Sequence, residues 1–139
     1  SHIIKKIGTS FEFPPENKRK LLAMAELAEQ LLDRERDHLI WVKAVQNAAA
    51  ERKPISVQKD PALCKLGRFL NGSQRKEIKQ HSPKLGAVFT KMEQPHQNLH
   101  RSAEHLEQMI LNPVVSDKEI ETYYKQNTVA ILNELLQLF

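Results

Sequence analysis

Apolar residues recur at three- and four-residue steps along the first third of the chain, at positions 21, 24, 28, 31, 42, 45 and 49. Glu35 and His38 occupy the two steps that the stripe skips. This spacing is that of one helix face. It predicts a helix of about 35 residues, about 50 Å long at 1.5 Å per residue, ending before Pro54. Such a helix is longer than a small bundle requires, so its first half is expected to project as a linker and to pack on a second copy or on an upstream helix. Residues 1–13 show no sustained period and are read as an extended lead-in, with Pro14-Pro15 ahead of the helical run. The expected organisation is an irregular lead-in over 1–15 and a single helical domain over 16–139.

Three further helices are marked by their ends. Asp60-Pro61 is a start signal, with Asp as N-cap and Pro at the first helical position. It predicts a short helix from Ala62 to about Leu70, closed by Asn71-Gly72. Ser82-Pro83 repeats the signal for a helix that runs to about Leu111 and stops at Asn112-Pro113. Ser116 and Glu119 form a capping box in which hydroxyl and carboxylate each satisfy a free backbone N–H. The helix it opens has apolar residues at 120, 124, 131, 135 and 138, with Thr128 in the gap. The fold class is therefore all-α, a four-helix bundle with a long first helix.

Composition supports this reading and removes several functions. Only four glycines are present in 139 residues and aromatics make up 6%, while helix formers dominate. The net charge of +4 is mild, and basic residues alternate with acidic ones, as in Asp33-Arg34-Glu35-Arg36-Asp37. That pattern is a solvated helix face. Asn17-Lys18-Arg19-Lys20 is a short basic cluster that reads as a solubilised helix start, and no nucleic-acid-binding signature stands out. No apolar run approaches the ~18 residues of a membrane span, and no signal peptide opens the chain. A cytoplasmic segment without membrane or nucleic-acid contact is expected. One cysteine, Cys64, excludes an internal disulfide.

The candidate chemistry lies in four side chains. His96 and His100 are four apart, one above the other on a helix face. Two imidazoles so placed can share a metal, although the same spacing also occurs on surfaces and interfaces. Cys64 falls in the first turn of the predicted short helix, where free N–H groups favour the zinc-binding thiolate; a small buried hydrophobe is the alternative. His38 interrupts an apolar stripe and needs a partner, either a hydrogen bond or a metal. Together they make one sulfur and three imidazoles from three helices, a set that suits tetrahedral zinc and leaves no position for a reacting water.

These residues sit in recognisable segments. Asp37-His38-Leu39-Ile40-Trp41, Cys64-Lys65-Leu66-Gly67-Arg68-Phe69 and His96-Gln97-Asn98-Leu99-His100 run in the order H-x-x-W, C-x-x-G-x-F, H-x-x-x-H. The chain thereby resembles the chemoreceptor zinc-binding domain over roughly residues 30–139. The resemblance implies a four-helix bundle holding one zinc on His38, Cys64, His96 and His100, a homodimer, and attachment to an output domain of a bacterial chemoreceptor or diguanylate cyclase, and so to chemotaxis or cyclic di-GMP signalling. It implies a regulatory and not an enzymatic domain. Two positions depart from the pattern: Phe69 stands where the family has Trp, and Pro95 precedes His96 inside the predicted third helix, where it is expected to kink it. Trp41 is expected to wall the site against water and Gly67 to permit close helix approach, though both also suit a plain core. Glu104, one turn past His100, is read either as the group orienting that ring or as a solvated surface residue. His81 and His105 point elsewhere. Two other classes remain in view. A histidine phosphotransfer bundle needs an exposed His followed by Lys and Gly, which His96-Gln97-Asn98-Leu99 lacks. A metal-free helical dimerisation domain predicts no response to a chelator.

Overall fold

The computed structural model describes residues 18–139 together with Ile3, Lys6 and Ile7. The described residues form helices and no strand: α1 (Lys18–Glu51), α2 (Lys65–Leu70), α3 (Ser73–His81), α4 (Pro83–Leu111), α5 (Asp117–Tyr123) and α6 (Val129–Leu136), the last two joined by a π turn (Tyr124–Thr128). The helix α4 is the spine, and every other helix packs against it. The basic cluster at 17–20 falls mostly outside the residues whose side chains are described.

The long helix α1 is a run of 34 residues without Gly or Pro. Its buried face is Leu27, Leu31, His38, Trp41, Val42 and Val45. Burial begins at Leu27, and Gln30 exchanges amide hydrogen bonds with Gln74 of α3 at 3.0 and 3.2 Å. The exposed stretch is thus shorter than half of the helix. The helix ends in a Schellman motif, with Arg52 N–H on the Ala49 carbonyl and Lys53 N–H on that of Ala48. Arg52 holds a φ of 50°, a left-handed conformation costing a side chain about 1 kcal/mol. Its guanidinium offsets this by reaching the carbonyls of Ile110, Asn112 and Val115 and the Asp117 carboxylate. One residue thereby ties the end of α1 to the α4–α5 corner.

The predicted caps of the two later helices are present. The Ser82 hydroxyl accepts from Leu85 N–H, and Ser116 with Glu119 forms the capping box. The start of the short helix is displaced. The Asp60 carboxylate accepts from Ala62 N–H at 2.9 Å, closing a local turn, and the helix begins only at Lys65 with Cys64 as N-cap. The segment Ser73–His81, for which no helix was expected, is α3; Ile78 is its one buried side chain, so it carries no apolar stripe to read.

The core runs through Leu31, Val45, Leu66, Phe89, Leu99 and Leu106, all fully buried. Burying each such side chain contributes about 1.5–3 kcal/mol. The π turn adds a residue to the last helical stretch without adding a full turn. It thereby brings Thr128, Leu132, Leu135 and Phe139 onto the face that Ile120 begins. From the lead-in, Ile3, Lys6 and Ile7 have helical backbone, not the extended form expected, and Ile3 and Ile7 are buried in the core. Ile3 N–H donates to the Phe139 carbonyl. The rest of the lead-in lies outside the described residues.

Candidate metal centre

His38, Cys64, His96 and His100 come together at one place between α1, α2 and α4. One ligand atom from each lies within 4.8 Å of all the others. The Cys64 Sγ is 3.0 Å from His96 Nε2. The imidazole rings of His96 and His100 are 4.7 Å apart at the centroids and near-perpendicular, and His38 meets them edge-on at 5.1 and 6.1 Å. All three rings are buried. The four residues singled out in the sequence are the four that meet.

Hydrogen bonds orient the donors. His38 Nδ1 lies 2.8 Å from the Arg34 carbonyl, one turn back in α1. His100 Nδ1 lies 3.1 Å from the Lys59 carbonyl. A carbonyl only accepts, so each Nδ1 carries the proton and each neutral ring presents a bare Nε2 lone pair. His100 Nε2 is the one buried side-chain polar atom among the described residues with no partner. A lone pair left unmatched in the interior costs on the order of 1–3 kcal/mol, and a cation relieves it. Bare imidazole nitrogens with a sulfur are the donors zinc prefers, so the residues present fit this metal.

Electrostatics agree. Burial, and then the charges of His38 and His100, push the His96 pKa down to about 3. Burial and then His38 bring His100 down to about 4, against the opposing pull of the Lys59 carbonyl. Burial also lowers His38. All three imidazoles are therefore neutral and able to donate at physiological pH. Burial pushes the Cys64 thiol up, opposed by the N–H groups of Gly67 and Leu66. The expected thiolate-favouring helix start is thus outweighed by desolvation in the metal-free chain, and a bound cation supplies the missing positive charge.

Cys64 is the N-cap of α2 and not a residue inside its first turn. Its sulfur accepts from Gly67 N–H at 3.4 Å. A Cβ on Gly67 would lie 1.7 Å from the Pro61 carbonyl oxygen. The glycine at this position permits the 61–64 turn to fold over α2, an approach of loop to helix in place of the expected helix to helix. Trp41 does border the site, its ring 4.9 Å from that of His100. Its Nε1–H donates to the Gln58 carbonyl at 2.8 Å. Phe69 packs edge-on against Phe89 at 5.1 Å, joining α2 to α4.

Pro95 does not interrupt α4. It withholds an N–H from the Lys91 carbonyl, on the exposed side of the helix, and the two histidines after it still converge. Glu104 is exposed, and the group on His100 Nδ1 is instead the Lys59 carbonyl. His81 and His105 are exposed, and His105 stacks on Tyr123 at 4.5 Å. Sequence reasoning missed Lys59 and Glu107. The Glu107 carboxylate accepts from Lys59 Nζ at 2.8 and 3.0 Å and from Ile55 N–H at 2.7 Å. The Lys59 hydrogen bond holds the Glu107 carboxyl below the usual carboxylate range. The available signal was Glu107 itself, two turns beyond His100 in the same helix. A cleft of about 110 Å³ opens beside His96, bordered by Pro61, Gly67, Leu70 and Glu93.

Among the described residues no helix is long and apolar enough to cross a membrane. The chain has no match among curated proteins or solved structures. Residues 38–106 match the family model of the chemoreceptor zinc-binding domain. The matched span opens on His38 and contains Trp41, Cys64, Gly67, His96 and His100, the residues whose geometry has just been described. Over these residues the chain belongs to the chemoreceptor zinc-binding domain family.

Proposed function

We propose that this chain is a sensory or regulatory domain of a bacterial signalling protein, with His38, Cys64, His96 and His100 as the four ligands of one zinc ion. The observation that carries the reading is the convergence of four donor atoms within 4.8 Å, one of them the buried, partnerless His100 Nε2. When bound, zinc supplies a positive charge that holds a sulfur and three nitrogens at one point. Four protein donors fill a tetrahedral shell, so no coordination position is left for a hydrolytic water. This supports regulation over catalysis. The burial of His38, His96 and His100 speaks against phosphotransfer at any of them, since that chemistry needs an exposed ring.

The chain's own residues define what can move. His96 and His100 are fixed in α4 and His38 in α1, whereas Cys64 stands at the head of α2, a helix of six residues. Two states follow: a clamped bundle, and one with the Cys64 turn released from the three imidazoles. A ligand shifts such an equilibrium only through different affinity for the two states, and only the clamped one presents four donors. Oxidation reaches the same switch. A peroxide converts the Cys64 thiolate to a sulfenic acid, with two electrons passing from sulfur to the peroxide and hydroxide leaving, and one donor is lost. The long helix α1 carries His38 and extends beyond the bundle, which suits it to pass the change to an output domain of the chemoreceptor or diguanylate cyclase kind. Its exposed Leu32, Leu39 and Ile40 form an apolar face suited to a second copy of the chain. The setting that fits is the bacterial cytoplasm.

Elemental analysis of the purified chain, with chelator titration and mass in solution, tests this reading. Close to one zinc per chain, lost in Cys64→Ala, is the expected result. A chain without zinc, or one whose affinity is unchanged by Cys64→Ala, overturns it.

A further inference from the structure

The orientation of His100 depends on a carbonyl in an irregular loop. Residues 53–60 contain no helix or strand, yet the Lys59 carbonyl at the end of this loop accepts the His100 Nδ1 proton at 3.1 Å. A loop carbonyl directs a ring only as firmly as the loop is held. Here both ends of the segment 55–59 are gripped by one carboxylate. Glu107 accepts the Ile55 N–H through Oε2 at 2.7 Å and the Lys59 ammonium through both oxygens. The same ammonium donates to the Ile55 carbonyl at 3.0 Å, closing the loop on itself. Glu107 and His100 share the helix α4, so the loop arches from one to the other.

We infer that Glu107, acting through Lys59 and the loop it holds, is a positioning residue for the metal centre: it fixes the Lys59 carbonyl on His100 Nδ1 and so keeps the His100 Nε2 lone pair aimed at the other three donors. This rests on the reading of His100 as a ligand. Groups that hold the far nitrogen of a ligating imidazole set its tautomer and its basicity, and their loss weakens metal binding about ten- to a hundredfold. In this chain the role belongs to an ion pair at one remove. Side-chain exposures of 21% for Glu107 and 30% for Lys59 leave the pair partly shielded, where a charge-assisted contact with three hydrogen bonds holds better than an exposed ion pair.

The test uses the full chain with Glu107→Ala, Glu107→Gln and Lys59→Met. The last keeps the backbone carbonyl and removes only the ammonium. Glu121→Ala serves as the control, breaking the exposed pair between Glu121 of α5 and Lys125 of the π turn. Two quantities are measured: zinc affinity by competition with a chromophoric chelator, and water exchange of the His100 Nδ1–H in the metal-free chain by nitrogen-15 NMR. Zinc binding is expected to weaken at least tenfold in Glu107→Ala and Lys59→Met, less in Glu107→Gln, and to stay within twofold in Glu121→Ala. The His100 Nδ1–H is expected to exchange faster in the first two. If wild type binds zinc and Glu107→Ala binds it equally well, the inference is overturned while the ligand assignment stands. A lower melting temperature with the His100 Nδ1–H still protected also overturns it, because a merely structural Glu107 gives that result. A wild-type chain that takes up no zinc fails the ligand assignment itself.

Discussion

Two clusters of buried polar side chains lie along α4, and they are built on opposite plans. In one, the Thr128 hydroxyl donates to Ser102 Oγ at 3.0 Å and Ser102 donates to the Leu99 carbonyl at 2.7 Å. Each proton has an acceptor, and the cluster completes itself. In the other, Cys64 Sγ and His96 Nε2 share one hydrogen bond at 3.0 Å, and His100 Nε2 has no donor at all. A fold retains the first arrangement because it joins two helices. The second opposes folding as long as that lone pair stays unmatched, and a cation at this point would relieve the cost. Buried polarity thus marks function here by being incomplete.

Removing a donor has the largest expected effect. His100→Ala and Cys64→Ala are each expected to drop bound zinc from near one per chain to a small fraction, by elemental analysis. Ser102→Ala and Thr128→Val should keep the full complement. In wild type, a chelator should cost about 4 kcal/mol of stability if zinc is present at about a thousandfold over its dissociation constant. Equal melting with and without chelator would make the two clusters alike.

A smaller effect tests how Cys64 is placed. Gly67→Ala puts a methyl group against the Pro61 carbonyl, a backbone atom that cannot swing away. The turn must shift, with an expected loss of about 1–3 kcal/mol in denaturant unfolding and weaker zinc binding in competition assays. Unchanged zinc affinity would show that the sulfur does not depend on this turn.

Acid separates the clusters as well. In the metal-free chain His96 and His100 stay neutral down to about 3 and about 4, whereas in the unfolded chain they take up protons near pH 6.5. The unfolded state therefore binds more protons as pH falls below about 6.5, and stability decreases in that direction until the folded rings themselves titrate. Between about pH 7.5 and about pH 5 the expected loss is on the order of 2 kcal/mol for each of the two rings, followed by urea melts. His96→Ala should flatten part of this slope, and an equal slope in that variant would place its origin elsewhere. The smallest effect belongs to the self-sufficient pair: Thr128→Val should cost about 1 kcal/mol, at every pH.

What was legible in the sequence was local. Ser82 and Ser116 cap their helices through neighbours three residues on, so the caps could be read one residue at a time. The four metal-centre residues were legible because each motif is short and their order is specific. Asp60-Pro61 misled because the Asp60 carboxylate closes its own turn on Ala62, and the close pass of Pro61 over Gly67 delays the helix to Lys65. The helix α3 escaped notice because one buried residue, Ile78, makes no period. The Glu107–Lys59 pair spans 48 residues, and nothing in either residue's neighbours announces the other. Ile3 and Ile7 gave no period either, because only tertiary packing decides that they are inside.

Trp41 is the chain's single tryptophan, and it is placed where it is most informative. Its indole lies against the His100 ring and is fastened to the loop that orients that ring. Excited indole is sensitive to the charge and polarisation of an adjacent imidazole. The emission of this one residue is therefore expected to shift when zinc is added or removed, a change that can be followed in real time with light and without any label.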